Sequence, residues 1–564
     1  MDEAATITAE PPQPAAPNAT ARAADDRHAA APLAGAVRVV SGLTLVSRFA
    51  GLARDVITAR MFGAGLLGSA FQAAYAFPNF FRRLFGEGAL SAAFLPEYTL
   101  LRRDDPARAS ALASITLWSL MLVTGGLTLV IELILLALLL LTPADPERAL
   151  SFRLMMLMLP MMPAVCATAI LGGILQAHGR FGPPAAAPII LNLFQIAAGA
   201  GFFWGWYAAN PAAYIVGSAA VLASIVQILW SLHALRGKVA WTRAWHTAEE
   251  SSRRVLKRFI PAMLGLGTIQ LNSLMDLLFA MWPVWVGPTA FGLAVTLDDK
   301  SNAVLRYSQT IYQFPLGVFG IAVATAVFPL LSRSSDNNTD FVQHLRRGLR
   351  LSLFIGLPAT VGLFLIRQNI LTVIYGGGRH GFSHDDITRA AAVLAGFAPA
   401  IWAYSLNHVL TRAFYAKGDT LTPMRLAMLA VAFNFALNCT LIWWLREAGL
   451  AWSTAISAII QCVILATLCS RKLAVRPFDR ATTAAFARIA ITTAIMGAAV
   501  WVVERGTRIP PGHETWPKHL LRLCMLVGTG GIIYAAFAAF LKLPELRWLT
   551  QRAPKGDTTA MSFE

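Results

Sequence analysis

The stretch AVRVVSGLTLVSRFAGLARDVITARMF at residues 36–62 is apolar enough to cross a bilayer, yet Arg48, Arg54 and Asp55 interrupt it. A charged side chain at the middle of a bilayer costs about 2.5–3.5 kcal/mol on insertion scales, so such residues usually face a polar interior. Arg48 and Arg54 would lie about 120° apart around a straight helix. Gly51 lies between them, and we expect a bend or local unwinding there that turns both guanidinium groups inward.

The next apolar segment, SAFQAAYAFPNFFRRLFGEGALSAAFLP at residues 69–96, repeats the pattern with Arg82, Arg83 and Glu87. Arg83 and Glu87 are spaced i, i+4 and can pair on one helix face, and Pro78 can kink the helix one turn before Arg82. Arginine binds phosphate oxygens bidentately and stays charged in every environment. Two arginine-rich spans therefore indicate a cavity for an anionic ligand. The alternative is that these side chains reach the headgroups or form internal ion pairs.

The composition is that of a polytopic helical membrane protein. Of the 564 residues, 56% are hydrophobic and 14% are charged, and the mean hydropathy is +0.57. A soluble domain spends about 25% of its residues on charge. Apolar runs of about 20 residues, each long enough to cross a bilayer as a helix, recur along the chain. We predict fourteen spans, at residues 36–60, 67–100, 110–141, 150–177, 185–207, 212–235, 253–282, 302–331, 346–368, 387–416, 422–446, 449–470, 484–504 and 519–541.

The loops predict the topology. The longest basic loop divides six spans from the rest, and transporters commonly place their substrate site between such repeats. We therefore predict an all-α polytopic membrane protein with two pseudo-symmetric six-helix lobes and two C-terminal helices. Basic residues concentrate in alternate loops, which by the positive-inside rule places both termini in the cytoplasm. The predicted parts are a disordered cytoplasmic tail (1–34), an N-terminal lobe (36–235), a basic cytoplasmic linker (236–258), a C-terminal lobe (253–470), the last two helices (471–541) and a second cytoplasmic tail (542–564).

The sequence argues against several function classes. The formal net charge of +17 could suggest nucleic acid, but Lys and Arg lie mostly in short loops between spans, where membrane orientation explains them better. The sequence contains no CxxC, GxxxxGK[ST], HExxH or GxSxG. It therefore predicts no metal site, no cofactor and no ATP site of the P-loop kind.

Three further charged residues are ambiguous on sequence alone. Asp55 is a candidate for ion binding or for neutralising Arg54. Asp276, in NSLMDLLF, is a candidate ion or proton site, and a structural hydrogen-bonding role fits it equally well. Arg306 lies at the outer end of the eighth span, where it can either serve the cavity or extend to the membrane surface.

Five strings resemble one known family, in its order. They are SRFAGLARDVITARMFGAG (47–65), FPNFFRRLFGEGALSAAFLPEY (77–98), GGILQAHGRFGPPAAAPIILN (172–192), QFPLGVFGIAVATAVFPLLSR (313–333) and LNHVLTRAFYAKGDTLTPMR (406–425). Together they are similar to the MurJ/MviN family of lipid II flippases, within the multidrug/oligosaccharidyl-lipid/polysaccharide exporter superfamily. The likeness extends over most of residues 36–475.

This resemblance implies a transporter of the bacterial cytoplasmic (inner) membrane rather than an enzyme. Two lobes would enclose a cationic cavity, and the last two helices would form a groove for a lipid tail. The transporter would move undecaprenyl-pyrophosphate-linked peptidoglycan precursor from the inner to the outer leaflet by alternating access, for cell-wall synthesis. Its other expected partners are membrane lipids and the peptidoglycan synthesis machinery. The resemblance implies substrate binding by Arg48, Arg54 and Arg82, with Arg83 and Glu87 at neighbouring charged positions.

The chain departs from the family pattern at three positions. Ser69 stands where many members have an acidic residue, Ala76 where they have a lysine, and Thr310 where the cavity arginine of the eighth span falls. Arg306 is one turn before Thr310 and shares its helix face. We therefore expect Arg306 to substitute in part for the missing arginine and to bind substrate.

Two other functions fit the same residues. One is export of a different lipid-linked oligosaccharide, such as an exopolysaccharide unit. The other is a membrane glycosyltransferase that uses a lipid-linked donor and needs a catalytic acid. Its candidate acids are the loop pairs Asp298/Asp299 and Asp385/Asp386, although adjacent acids in polar loops are usually only solvated.

Overall fold

The computed structural model describes residues 19–143, 145–266, 268–290, 292–377, 381–509 and 515–550. Within them the chain is almost wholly helical, apart from one short hairpin of strands β1 (Thr289–Ala290) and β2 (Leu293–Ala294). The α-helices are α1 (Ala19–Phe62), α2 (Leu66–Phe81), α3 (Leu90–Asp104), α4 (Pro106–Leu141), α5 (Pro146–Met158), α6 (Met161–Ala177), α7 (Gly182–Phe203), α8 (Ala209–Ala234), α9 (Glu249–Leu266), α10 (Thr268–Trp285), α11 (Ser301–Pro315), α12 (Ile321–Arg333), α13 (Asn338–Tyr375), α14 (His384–Phe397), α15 (Ala400–Ala416), α16 (Leu421–Leu445), α17 (Glu447–Lys472), α18 (Arg480–Gly506), α19 (Trp516–Phe540) and α20 (Pro544–Thr550).

Eleven helical segments of the described chain are long and apolar enough to cross a membrane. They correspond to eleven of the fourteen predicted spans, so the predicted all-α polytopic fold is confirmed. The other three predicted spans correspond to α1, to α2 with α3, and to α9 with α10. The first two of these spans carry Arg48, Arg54, Arg82 and Arg83. The charge of these arginines lowers the mean hydropathy of the two spans. The count of fourteen stays a prediction.

The first helix is longer than the sequence analysis expected. It begins at Ala19, so residues 19–34 are helical where a disordered tail was predicted, and residues 1–18 lie outside the described part of the chain. Alanine, the residue with the highest helix propensity, is abundant in this stretch. At the other terminus, part of the predicted tail forms α20. Glu545 of α20 is fully buried and pairs with Arg350 of α13 at 2.6 Å.

Several helices begin at side-chain caps that the sequence encodes. Asp105, Asp145 and Asp479 each accept hydrogen bonds from the first backbone N–H groups of α4, α5 and α18. Ser383 and Asp386 form a capping box at the start of α14. Such caps satisfy amide groups that lack partners within the helix, so they fix where the helices begin at the membrane surfaces.

Two π-helical segments interrupt the spans that face the cavity. The first covers Arg82–Ala89 and the second covers Leu316–Gly320. Each follows a Phe-Pro pair, Phe77-Pro78 in α2 and Phe314-Pro315 in α11. Proline removes a helical hydrogen bond, and π-helical insertions occur frequently at functional sites. The equivalent placement in the second and eighth predicted spans is consistent with two related lobes.

Helices α1 to α8 pack around one set of apolar cores and helices α11 to α17 around another. The pair α18 and α19 packs against α13. The C-terminal end of α1 joins the second set, because Ala59 lies in a core with Tyr307 and Tyr375. The two groups of helices therefore meet at this end of α1.

Candidate functional site

A cavity of about 610 Å³ lies between the two groups of helices. Its walls come from α1, α2, α3, α6, α7 and α8 on one side and from α10 and α11 on the other. Among the described residues that line it, the charged ones are five arginines and one aspartate, namely Arg48, Arg54, Arg82, Arg83, Arg306 and Asp55. The sequence-predicted arginines thus converge on one strongly cationic chamber. A low-dielectric chamber of this charge favours an anionic ligand.

Arg54 is held by neighbours on three sides. It pairs with Asp55 at 2.6 Å, donates to Asn192 Oδ1 at 3.0 Å and to the Tyr75 hydroxyl, and lies 4.6 Å from the centre of the Tyr75 ring. Its side chain is 14% exposed. Asp55 therefore balances part of the Arg54 charge, as one of the two roles predicted for it requires.

Arg48 is the more exposed of the two α1 arginines. Its guanidinium group lies against Gly317 in the second π-helical segment, so closely that a Cβ atom at position 317 would overlap it. Helix α1 runs unbroken from Ala19 to Phe62, so the local unwinding expected as one alternative at Gly51 does not occur, and a bend there stays a prediction. Residues 48, 51, 52 and 55 share a helix face, and the long side chain of Arg54 reaches the cavity from beside it, so both arginines line the cavity without local unwinding.

The second arginine pair lies where α2 gives way to the first π-helical segment. Arg82 donates through Nε to Asn79 Oδ1 at 3.2 Å, and Arg83 is exposed to the cavity. The side chain of Glu87 lies outside the part of the structure that is described, so its predicted pairing with Arg83 stays a prediction.

Arg306 enters the cavity from α11. It donates to Gln309 Oε1 at 3.1 Å and to the Ser273 carbonyl at 3.2 Å, and its buried Nε has no partner within the described chain. Both hydrogen-bond acceptors are neutral, so they leave its charge in place. Thr310 lines the same wall one turn later. The expected shared face of Arg306 and Thr310 is therefore present.

Asp276 does not line the cavity. It is 3% exposed and accepts a hydrogen bond from Asn438 Nδ2 at 3.0 Å, and Asn438 also donates to Asn434 at 3.1 Å. Asn434 and Asn438 lie on α16, far from Asp276 in sequence, so the hydrogen bond of Asp276 joins α10 to α16. No group of three or more His, Cys, Asp or Glu within the described residues is placed to hold a metal.

The cavity also has uncharged polar residues that the sequence analysis missed. Six glutamines line it, together with Asn79 and Asn192, namely Gln72, Gln176, Gln227, Gln270, Gln309 and Gln313. Asn192 also donates to the Ser47 carbonyl at 3.3 Å and so links α7 to α1. The signal was available, because an amide within an apolar span is costly unless it has a polar environment.

The two groups of helices are joined where α1 ends and α2 begins. Ser69 is fully buried and accepts from the Ala303 N–H at 3.0 Å, while its carbonyl accepts from Asn302 Nδ2 at 2.7 Å. Arg60 donates to the Ile374 and Val373 carbonyls at 3.3 and 3.1 Å. We call this the closed end of the cavity. Ser69, one of the three departures from the family pattern, thus lies at this junction and not in the cavity.

Two of the four loop acids proposed for a glycosyltransferase, Asp298 and Asp386, are engaged in ion pairs. Asp298 receives two hydrogen bonds from Arg389, at 2.7 and 2.9 Å, and one from Arg446 at 2.6 Å. Asp386 pairs with Lys300 at 2.8 Å. These two were expected to be solvated, and they instead join α14 and α17 to the loop before α11. The pairing is typical of structural acids and gives no support to a catalytic role.

Comparisons with known proteins identify the family. The family model described as lipid II flippase MurJ matches residues 58–510. A probable lipid II flippase MurJ of Vibrio cholerae is 30% identical over 556 residues, which is 91% of this chain and 97% of that protein. One of Rhizobium tropici is 31% identical over 478 residues, covering 82% and 85% of the two chains.

Solved structures agree on the fold. A lipid II flippase MurJ in an inward closed conformation has a TM-score of 0.69 at 23% identity, over 91% of this chain and 99% of that one. An inward-facing multidrug resistance MATE transporter of the MOP superfamily has a TM-score of 0.62 at 14% identity, over 78% and 98%. At these identities the structural likeness shows the fold alone. Because the family model and the Vibrio cholerae relative both cover most of the sequence, this chain belongs to the MurJ family of lipid II flippases, which are transporters and not enzymes.

Proposed function

We propose that this protein carries undecaprenyl-pyrophosphate-linked peptidoglycan precursor from the inner to the outer leaflet by alternating access. One observation carries the proposal: five arginines and one carboxylate line a single cavity between the two groups of helices, among the residues that the structure describes. Paired phosphates supply the anionic oxygens that guanidinium groups bind best.

The proposed roles follow from position. Arg54 shares its charge with Asp55, whereas Arg306 donates to the neutral acceptors Gln309 and Ser273 and keeps its charge for an anionic ligand. We assign pyrophosphate binding to the arginines, including Arg54 once its pair with Asp55 loosens. The lining glutamines supply hydrogen bonds for the sugar and peptide of the headgroup. The prenyl tail would stay in the bilayer, since hydrocarbon is its favourable environment.

Orientation completes the proposal. We propose that both termini lie in the cytoplasm of a bacterium, with the chain in its cytoplasmic membrane, and the basic loops support this orientation. The closed end of the cavity, at Arg60 and Ser69, then faces outward, and the headgroup enters from the cytoplasmic side. Release requires the contacts of Ser69 with α11, and of Arg60 with α13, to break while the opposite end closes. Cell-wall synthesis enzymes would take up the released precursor, so they are the expected functional partners.

Asp276 is assigned a supporting role in this cycle. It lies close enough to Arg306 for the two charges to attract each other, and its hydrogen bond to Asn438 connects α10 to α16. Either an ion-binding or a structural role for Asp276 would act on the cavity through α10 and Arg306.

The direct test is depletion of the protein in cells that lack a redundant transporter, followed by measurement of lipid II on each leaflet. The proposal predicts that lipid II accumulates in the inner leaflet and disappears from the outer one. Unchanged exposure on the outer leaflet would overturn it. Accumulation of a different lipid-linked oligosaccharide, with lipid II unaffected, would instead support the exopolysaccharide alternative.

Variants locate the function in the cavity. Arg48→Ala and Arg82→Ala should each abolish outer-leaflet exposure of lipid II while the protein still inserts and accumulates normally. Arg412→Ala is the matched control, because Arg412 lies 5.1 Å over the ring of Phe328 and does not line the cavity. Equal activity of all three variants would contradict the assignment.

A further inference from the structure

A second cavity lies away from the lobes, between the C-terminal end of α18 and the N-terminal end of α19. Its volume is about 360 Å³. It is lined by three cationic and four uncharged residues, namely Arg508, Lys518 and Arg522 with Thr507, Ile509, Leu521 and Met525. Its lining thus combines cationic with mainly apolar side chains, and it shares no residue with the central cavity.

Arg522 is the most enclosed cation of this wall. Its side chain is 14% exposed, Nη2 donates to the Glu504 carbonyl at 2.8 Å, and its buried Nε has no partner in the described chain. The nearest approach to the Glu504 carboxylate is 3.6 Å, longer than a charge-assisted hydrogen bond. Arg508 lies near enough to repel Arg522 electrostatically. An anion between these two arginines would relieve that repulsion.

The apolar residues of the cavity continue along an exposed surface of α19. Leu521 and Met525 are exposed and one turn apart, so they share a helix face. Ile532 extends this exposed face two turns further into the span. The surface thus offers an apolar strip that begins at the cationic cavity and runs toward the interior of the membrane.

Aromatic residues indicate the depth of this cavity. Trp501 of α18 lies under Arg505, 3.8 Å from the guanidinium carbon to the ring centre, and Trp516 begins α19 with 47% of its surface exposed. Tryptophan is enriched where hydrocarbon meets the headgroups. The cations of the cavity therefore lie at headgroup level.

We propose that this cavity binds the phosphate headgroup of a membrane lipid, with an acyl or prenyl chain along Leu521 and Met525. Arg508 and Arg522 bind the phosphate, and Lys518 adds a further positive charge. The lipid is either a phosphoglycerolipid with net negative charge or a polyprenyl phosphate. Under the orientation proposed above, the site faces the outer leaflet. Only this placement rests on the proposed function.

The test uses the purified full-length protein in nanodiscs of phosphatidylcholine containing a small fraction of phosphatidylglycerol. Lipids retained after extraction are counted by native mass spectrometry. We expect wild-type protein to retain phosphatidylglycerol over phosphatidylcholine by at least about tenfold. The double variant Arg508→Gln/Arg522→Gln should lose that preference. Arg505→Gln, which removes a neighbouring cation outside the cavity, should keep it.

Competition identifies the source of the phosphate. Displacement of phosphatidylglycerol by undecaprenyl phosphate at a lower mole fraction supports a polyprenyl site, and lack of displacement supports a phosphoglycerolipid site. Equal retention of the two bulk lipids, or equal loss in the double variant and in Arg505→Gln, would overturn the proposal. Displacement by inorganic phosphate alone would also overturn it, since the apolar strip would then contribute nothing.

A charge-preserving control and the choice of assay separate this proposal from misfolding and from the flippase assignment. Arg508→Lys/Arg522→Lys keeps the charge and should restore most of the preference if the double Gln variant loses it through charge and not through misfolding. Lipid retention is measured without transport, so a failure of the flippase assignment would leave this result unchanged. Conversely, loss of lipid binding in the double variant says nothing against the central cavity.

Discussion

Thr310 donates its hydroxyl to Oδ2 of Asp55 at 3.3 Å, while Oδ1 of the same carboxylate pairs with Arg54 at 2.6 Å. Thr310 belongs to α11 and Asp55 to α1, so this carboxylate joins the two sides of the cavity. The threonine that replaces an expected cavity arginine therefore contacts the acid that balances another arginine. The positive charge at this wall comes instead from Arg306, one turn earlier.

Arg306→Ala should impair transport far more than Thr310→Ala. The first change removes a cavity charge, whereas the second removes one hydrogen bond to Asp55 and leaves the Arg54 pair intact. Outer-leaflet lipid II, measured in cells that depend on the variant, provides the comparison. Arg306→Lys should retain part of the activity, because it keeps the charge and loses the fork geometry. Equal tolerance of Arg306→Ala and Thr310→Ala would refute the substitution of one residue for the other.

The convergence of the arginines could be predicted from sequence because fixed charge in an apolar span has few stable environments. Arg48, Arg54 and Arg82 needed only that argument, and the family resemblance agreed with it. The absence of local unwinding at Gly51 could not be predicted in this way, since a helix face and a long side chain satisfied the same requirement in an unbroken helix.

Contacts between distant helices could not be predicted from the sequence for a different reason. The bond between Asp276 and Asn438 and the bond between Ser69 and Ala303 join residues 162 and 234 positions apart. Hydropathy and spacing describe one helix at a time, so they give no register between helices. The same limit explains why Asp298 looked solvated, although Arg389 and Arg446 lie against it in the folded chain.

Ser69→Ala should weaken the closed end of the cavity. The buried Ala303 N–H would lose its acceptor, which costs about 1–3 kcal/mol. Ser69→Asp should preserve the closed end, because a carboxylate at the start of α11 can accept from the amide groups there and interacts favourably with the helix dipole. The measurement is labelling of an Ala76→Cys variant, free of native cysteines, by an impermeant maleimide added outside the cell. We expect faster labelling with Ser69→Ala and no change with Ser69→Asp.

The matched control for this experiment is Ser453→Ala. Ser453 is equally buried, but its hydroxyl bonds to the Gly449 carbonyl of its own helix at 2.8 Å. If Ser453→Ala and Ser69→Ala changed the labelling rate equally, the effect would be general loosening and not opening at the closed end.

Asp298 gives the loop before α11 an acid-sensitive contact. Burial opposes its ionisation, but hydrogen bonds and ion pairing from Arg389, with a further ion pair from Arg446, outweigh burial and hold the pKa of Asp298 below its ordinary value of 3.8. A carboxyl with a depressed pKa stabilises the fold above its unfolded pKa and loses that contribution as the pH falls through the folded value. The contribution is therefore complete at pH 7, begins to fall near about pH 4 and is lost as the pH falls through the depressed folded pKa.

Asp298→Asn should lower the melting temperature of the purified protein by a few degrees at pH 7. The difference from wild type should shrink as the pH falls below about 4, because the wild-type carboxyl then becomes neutral too. Asp299→Asn, a change of the adjacent acid, is the control and should cause a smaller shift. A difference between wild type and Asp298→Asn that stays constant down to acid pH would contradict the electrostatic origin.

Gly317 should be required for the position of Arg48. An added Cβ at Gly317 would overlap the Arg48 guanidinium group, whereas one at Gly362 would meet nothing within 4 Å. Gly317→Ala can be accommodated by a shift of the flexible arginine, so we expect a partial loss of lipid II exposure on the outer leaflet. Gly317→Val should cause a loss close to that of Arg48→Ala, because the branched side chain occupies the space of the guanidinium group. Gly362→Ala should be neutral, and in an Arg48→Ala background Gly317→Val should add little. If Gly317→Val instead retained full transport, Arg48 would not need this position to act.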